Sequence, residues 1–281
     1  MSEPEEVRSR RLDQYIVSQL PESSRTFATK LIEQGKVLVN DQVQLKSGYR
    51  LRVNDTIHIN YVAEDEAVIP DITIPVLYED DDCVVINKPV GLLTHSKGAF
   101  NPEPTVASWL ASRVTGMDGE RAGIAHRLDR ATSGVMICAK TPEALSWLQK
   151  QFSTRKVKKT YVAIVEGSLN LPEAVIDMPI ERHPKKPQTF RVGSNGKSAT
   201  TTYKVLQTSA LRSLIELRPT TGRTHQLRVH LAHLKHPIVG DSFYHGKAAE
   251  RLFLHALSLE ITLPSRERKV FTAPLPKEFT I

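Results

Sequence analysis

The chain has 281 residues, 40% of them hydrophobic and 25% charged, the make-up expected of a globular protein of roughly two domains. Its two cysteines, Cys83 and Cys138, both sit inside apolar runs, too few for a disulfide framework or a cysteine-based zinc site, and they fit a reducing cytosol. No apolar run approaches the length of a membrane span, residues 1–6 are polar and acidic and unlike a signal peptide, and the net charge of +7 suits a polyanionic partner.

Residues 1–10 read as a disordered tail. From Arg10 and Arg11 onward, Leu12, Ile16 and Leu20 form an apolar stripe that predicts a helix, closed by Pro21. Ser23 or Ser24 offers a cap for a second helix, with Phe27, Leu31 and Ile32 facing inward and Gly35 at its end. Residues 36–44 read as a strand, a tight Asn40-Asp41 turn and a returning strand. Two more short strands are expected at Leu51, Arg52 and Val53 and at Ile57, His58 and Ile59. Arg25, Lys30, Lys36, Lys46 and Arg50 supply one candidate basic face. Residues 61–74 begin acidic, contain Pro70 and read as a linker between a first domain over 11–60 and a second over 75–281.

In the second domain, Val76, Leu77 and Tyr78 predict a strand, and the unbroken apolar run from Cys83 to Asn87 predicts a buried one. Lys88 precedes Pro89, Val90 and Gly91, where it either approaches a phosphate or sits on the surface before a turn. Thr105 caps a short helix carrying Val106, Trp109 and Leu110. Next comes His126-Arg127-Leu128-Asp129-Arg130-Ala131-Thr132-Ser133-Gly134, in which one carboxylate stands between two arginines, followed by an apolar stretch to Ala139. Two readings fit Asp129: an ion pair that holds a turn, or a nucleophile or base presented to an anionic substrate.

Thr141, Pro142 and Glu143 begin a helix with Leu145, Leu148 and Phe152 inward. It ends in Arg155, Lys156, Lys158 and Lys159, more cations than a helix dipole requires. A strand follows over residues 160–165, with Tyr161 beside the basic run; it is either a rim tyrosine or a platform for a base. Residues 178–198 carry Arg182, His183, Lys185, Lys186, Arg191 and Lys197 among three prolines and two glycines, a basic loop or hairpin. Strands are expected at Thr201 to Val205 and Leu214 to Leu217, and then a helix capped by Thr224 with Leu227, Leu231 and Leu234 on one face. That arrangement sets Arg223 at a positive helix end. His225, His230, His233 and His236 invite a zinc reading, but neither a cysteine pair nor a metalloprotease spacing accompanies them.

Residues 10–60 resemble the S4 RNA-binding domain through Ser24, Arg25, Ala28, Leu31, Ile32, Gly35, Lys36, Val37, Val39, Asn40 and Asp55. Residues 76–275 closely resemble the pseudouridine synthases that act on large-subunit ribosomal RNA and tRNA. Four stretches carry that resemblance: Lys88 to Gly91; His126 to Arg130 with Thr132, Ser133 and Gly134; Phe152 with Lys159, Thr160 and Tyr161; and Arg218 and Pro219 with Thr221 to Arg228. The chain departs from the family pattern at Glu181 and over residues 187–190.

The resemblance implies an α+β fold with a mixed, largely antiparallel sheet and flanking helices, beside a small S4-like domain. It implies an enzyme that isomerises uridine in structured RNA, large-subunit ribosomal RNA by default and tRNA as an alternative, without cofactor or metal. Asp129 matches the catalytic aspartate, Tyr161 the aromatic that packs on the target base, and Arg223 the basic residue that pairs with the aspartate. Arg127 matches the residue that fills the space left by a flipped nucleotide. Leu227, Lys88 and Arg130 complete the expected substrate contacts, and Arg25, Lys30 and Lys36 the expected S4 grip on phosphates. A monomer in the cytoplasm is expected. The competing reading is a non-catalytic RNA-binding or ribosome-assembly protein on the same fold.

Overall fold

The computed structural model describes residues 10–20, 23, 25–61, 71–95, 103–117, 119 and 121–281. Ser24, residues 1–9 of the expected tail and residues 62–70 of the expected linker lie outside the described residues. The chain divides into two units, one within residues 1–71 and one over residues 72–95 and 105–281.

In the first unit the expected helices form as α1, Leu12–Gln19, and α2, Arg25–Glu33. Leu12, Ile16, Ala28, Leu31, Ile32, Val37 and Val39 close its core. A small sheet follows: β1, Val37–Val39, lies between β2, Gln42–Val43, and β3, Ile57–Ile59. The turn between β1 and β2 puts Asn40 at φ 52° and Asp41 at φ 60°, the left-handed pair that a tight hairpin of this hand requires. Asn40 then reaches across, donating to Asp55 Oδ1 at 2.9 Å and accepting from Thr56 N at 2.9 Å. The strand expected at residues 51–53 does not form. Asp55 Oδ2 instead takes the Arg52 amide at 2.8 Å, bending the backbone, and Leu51 drops its side chain into the core.

The second unit is built on a nine-stranded sheet. In chain order its strands are β4 (Val76–Glu79), β5 (Cys83–Lys88), β6 (Ser133–Ala139), β7 (Lys158–Glu166), β8 (Glu173–Asp177), β11 (Thr200–Thr208), β12 (Arg212–Pro219), β13 (Leu254–Thr262) and β14 (Arg268–Thr272). In space they run β4-β5-β6-β13-β7-β12-β11-β8, with β14 on β13. Every pairing is antiparallel except β6 with β13, so the expected α+β class with a mixed, largely antiparallel sheet is what forms. That parallel seam is short, matching Ser133 to His255 and Gly134 to Ala256. Gly134 stands at φ 116°, and a Cβ there would run into the Ala256 carbonyl, so the seam admits only glycine at this point.

All seven residues of β6 are buried. One core, with Val84, Ile86, Ile137 and Leu148, packs on one part of the sheet, and a second, with Val162, Ile164, Ile215 and Leu231, on another. Helix α3, Val106–Leu110, starts with a reciprocal cap in which Thr105 Oγ1 accepts from Ser108 N and Ser108 Oγ accepts from Thr105 N, both at 2.9 Å. Helix α4, Pro142–Ser153, starts as expected, with Thr141 Oγ1 accepting from Ala144 N at 3.2 Å. The basic excursion is a hairpin of β9, Ile180–Arg182, and β10, Phe190–Val192. Helix α5, Gln226–His233, differs from expectation at its start. His225, not Thr224, occupies the cap position, at φ 56°, and the next side chain, Gln226, turns back to accept from Arg223 N at 3.0 Å.

Candidate active site

Asp129 sits in the turn that feeds β6, and its loop is tied from several sides. Thr94 Oγ1 donates to Leu128 O at 2.8 Å, Arg130 Nε donates to Gly91 O at 3.0 Å, and Gly91 N donates to Arg130 O at 2.9 Å. Beneath lies Lys88, fully buried, whose ammonium donates to the carbonyls of Pro89 at 3.0 Å, Leu92 at 2.8 Å and Arg130 at 3.4 Å. Neither reading of Lys88 as a phosphate contact or a surface residue holds: it is a clamp on the Asp129 loop. Burial draws its ammonium down to about 7, against the opposing pull of Asp129.

The cationic partner of Asp129 is Arg228, not Arg223 as the resemblance implied. Arg228 Nη1 stands 3.4 Å from Asp129 Oδ2, while Arg223 Nε donates to Ser198 O at 3.0 Å. Arg228 is itself held by a two-pronged pair to Asp241, Nε to Oδ2 and Nη2 to Oδ1, each at 2.8 Å. Its guanidinium lies 5.1 Å from the Tyr244 ring centre and 5.3 Å from that of Phe243. His225 Nε2 faces Asp129 at 3.8 Å. Tyr244 Oη accepts from Phe190 N at 3.0 Å and so has its proton free for His225 Nδ1 at 2.8 Å. Burial lowers the His225 pKa, with the charge of Asp129 opposing. A neutral imidazole that accepts at Nδ1 carries its proton on Nε2, facing the carboxylate.

Gln226 organises the turn that presents these groups. Its Oε1 accepts from Thr221 Oγ1 at 2.7 Å as well as from Arg223 N, and its Nε2 donates to Thr200 O and Thr201 Oγ1, both at 3.0 Å. One buried side chain thereby joins β11, the turn and α5.

These parts enclose a cavity of about 130 Å³ that holds Asp129, Tyr161, Leu227 and Arg228 in its lining. Tyr161 comes from β7, opposite Leu217 on one neighbouring strand and Ala256 on the other. Burial, and then the charge of Asp129, push its phenol well above the usual tyrosine range, so it stays protonated. Arg127 is exposed and belongs both to this cavity and to an adjoining groove of about 600 Å³, where Arg155, Lys159 and Arg223 add further positive charge. Lys159 Nζ donates to Thr221 O at 3.0 Å, and burial, with Arg155 nearby, draws it down to about 8.

His126 supports the loop. Its Nε2 accepts from Ile137 N at 3.1 Å and its ring stacks on Phe152 at 4.3 Å; burial draws it down to about 3, so it stays neutral. His230 is held between Thr201 Oγ1 and Met178 O, each at 3.0 Å, and His236 Nδ1 lies 2.8 Å from Glu166 O. Among the described residues no group of three or more metal-ligating side chains converges.

In the first unit, Arg25 does not stand free as a phosphate ligand. Its Nε donates to the buried Asp13 carboxylate at 2.9 Å, which Arg11 also pairs at 3.0 Å. Burial alone would raise the Asp13 pKa; the bonds from Arg11 and Arg25 overcome it and hold it low. Lys30 and Lys36 are exposed.

The chain was compared with known proteins. The model of the RNA pseudouridylate synthase family matches residues 82–233, and that of the S4 domain matches residues 10–57. The chain is 36% identical over 301 residues to the ribosomal large subunit pseudouridine synthase D of Xylella fastidiosa, covering 98% of this chain and 88% of the relative. It is 37% identical over 295 residues to the protein of the same name from Xanthomonas campestris, with the same coverage of both. Among solved structures, human RNA pseudouridylate synthase domain containing 1 superposes with a TM-score of 0.60 at 29% identity, over 72% of this chain and 83% of that one. The chain belongs to the RNA pseudouridylate synthase family: it is an isomerase with an S4 domain ahead of its catalytic unit.

Proposed function

We propose that this enzyme converts a uridine of large-subunit ribosomal RNA to pseudouridine, with Asp129 as its catalytic carboxylate. The observation that carries the reading is a carboxylate at the wall of a 130 Å³ cavity, beside Arg228 on one side and Tyr161 on another. The names of the two bacterial relatives support the choice of RNA.

The reaction breaks the bond from base N1 to the sugar and forms one from C5; C5 gives up a proton and N1 takes one, with no net redox change. A glycosidic bond inside a stacked helix is out of reach, so the uridine must leave the stack. Arg127, exposed at the rim, occupies the vacated space, and the base enters against Tyr161 and Leu227. Asp129, held beside Arg228 at 3.4 Å, attacks the sugar or assists departure of the base. Because Tyr161 stays protonated, it offers the base a ring face and a hydroxyl, not a phenolate. Arg155, Lys159 and Arg223 in the groove, with Lys30 and Lys36 of the S4 domain, hold phosphates; such contacts set position and affinity, not base identity.

The test uses RNA tritiated at uracil C5. Asp129→Asn is expected to bind the RNA and to fold as the parent does, yet to release no tritium. Release at the parent rate would remove Asp129 from catalysis. Pseudouridine appearing in transfer RNA and not in large-subunit RNA would overturn the substrate.

A further inference from the structure

A second cleft of about 340 Å³ opens between the β9–β10 hairpin, the C-terminal end of α5 and the loop after it. We propose that this cleft is a second nucleotide site, which holds an unpaired nucleotide of the substrate RNA near the one undergoing isomerisation. The inference rests on RNA being the substrate.

Four features point to such an occupant. The lining joins aromatic rings, Phe190 and Phe243, to basic side chains, His183, Lys186, Lys235 and His245, and includes no carboxylate. A phosphate meets attraction there and no repulsion, and a base finds a ring face. Second, Phe243 is 48% exposed, an uncovered ring in a rigid place: its amide donates to the buried Asp241 at 3.1 Å, and its neighbour Tyr244 is bonded to Phe190 N and His225. Third, His183 Nδ1 accepts from the amides of Lys185 at 3.2 Å and Lys186 at 3.1 Å. An imidazole that accepts at Nδ1 keeps its proton on Nε2, available to a phosphate or base oxygen. Fourth, Lys186 and Lys235 both stand exposed at the cleft.

The cleft is also joined to the catalytic cavity. The Phe243 ring, in the wall of the cleft, lies 6.0 Å from that of His225 and 5.3 Å from the Arg228 guanidinium, two residues that line the catalytic cavity. A strand whose target base enters the cavity therefore meets the cleft within a short reach. None of the basic residues of the cleft touches Asp129, so their part is to bind and position RNA, not to take part in the chemistry.

The test has a binding arm and a kinetic arm, both on the full chain. In the first, a single-stranded uridine heptamer carrying 4-thiouridine is photo-cross-linked to Asp129→Asn protein and the adducts are mapped by mass spectrometry. Adducts within residues 183–190 or 235–245, lost in Phe243→Ala, are expected; adducts confined to other segments overturn the site. In the second, a large-subunit ribosomal RNA transcript is the substrate. Loss of one stacking contact in Phe243→Ala is expected to raise KM roughly five- to a hundredfold, and Phe243→Tyr to restore it. The Lys186→Ala, Lys235→Ala double variant, altered only at exposed positions, is expected to raise KM and flatten its salt dependence. A fall in kcat at unchanged KM in Phe243→Ala, with the lysine variant unaltered, overturns the proposal and leaves the ring as a brace for Arg228. Cleft adducts from a protein that releases no tritium from any RNA would keep the site and overturn the assigned reaction.

Discussion

Asp241→Asn tests the support beneath Asp129, the proposed catalytic carboxylate, without touching it. The Arg228 side chain is 7% exposed and that of Asp241 0%, and two bonds of 2.8 Å join them. Asparagine keeps the shape but removes the charge, leaving a buried guanidinium whose other anionic contact is Asp129 at 3.4 Å. Removing one partner of such a pair costs about 3–5 kcal/mol. A unit of this size shifts by about 2–4 °C for each kcal/mol, so the transition of the catalytic unit is expected to fall by about 6–20 °C. Displacement of Arg228 also lets Asp129 drift, and a misplacement of about 1 Å costs on the order of a hundredfold in rate. Thermal unfolding and tritium release on the same preparation measure both effects. The double variant Arg228→Met, Asp241→Leu separates them: an apolar pair of similar volume is expected to regain stability and not activity. A loss below about 1 kcal/mol for Asp241→Asn, the worth of an exposed ion pair, would refute the view that this pair is a buried support.

Gln226→Ala removes four bonds from one buried side chain and strands the Arg223 amide. A loss of about 2–4 kcal/mol in urea unfolding is expected, and a value near zero would mean that water replaces the amide without penalty. Buried histidines set an acid limit. His126 falls from 6.5 to about 3 and His255 from 6.5 to about 4, each through burial first and a neighbouring cation second. With folded values depressed, the unfolded chain binds the extra protons; the stability these groups carry is complete above pH 6.5 and drains away as pH falls toward 3 to 4. Urea midpoints at pH 7.5 and pH 5 are expected to differ less in His126→Gln than in the parent, and an unchanged difference would clear His126 of the effect.

Local chemistry made most of this fold legible in advance. Thr105, Thr141 and the Asn40-Asp41 turn act within a few residues of themselves, and the structure uses them as expected. What escaped depends on distant groups. A lysine before a proline and a glycine reads as a phosphate contact or a surface residue, because the Arg130 carbonyl that helps hold Lys88 lies 42 residues away. The resemblance pointed to Arg223, and Arg228 escaped notice for a related reason. Helix α5 is buried from Gln226 through Leu231, so its apolar spacing marked no outer face on which to place Arg228, and the Asp241 that captures it comes from a later loop. Residues 51–53 look like a strand by composition, but the side chain of Asp55 takes the amide that a strand would need. Asp129 and Tyr161 were found because a long motif names them, and the cavity brings both together.

The parallel seam between β6 and β13 has a consequence in time. Ser133 and His255, which also bond side chain to side chain at 2.9 Å, are 122 residues apart in the chain. A ribosome adding about 5–20 residues each second needs roughly 6–24 s to make that interval. For most of it, the Asp129 loop has left the peptidyl transferase centre while Arg228, Asp241 and β13 are still to come. The S4 domain is complete far earlier and is free to engage RNA. A nascent chain can therefore grip its substrate before it can act on it, and the chemistry waits for the last strands to close the seam.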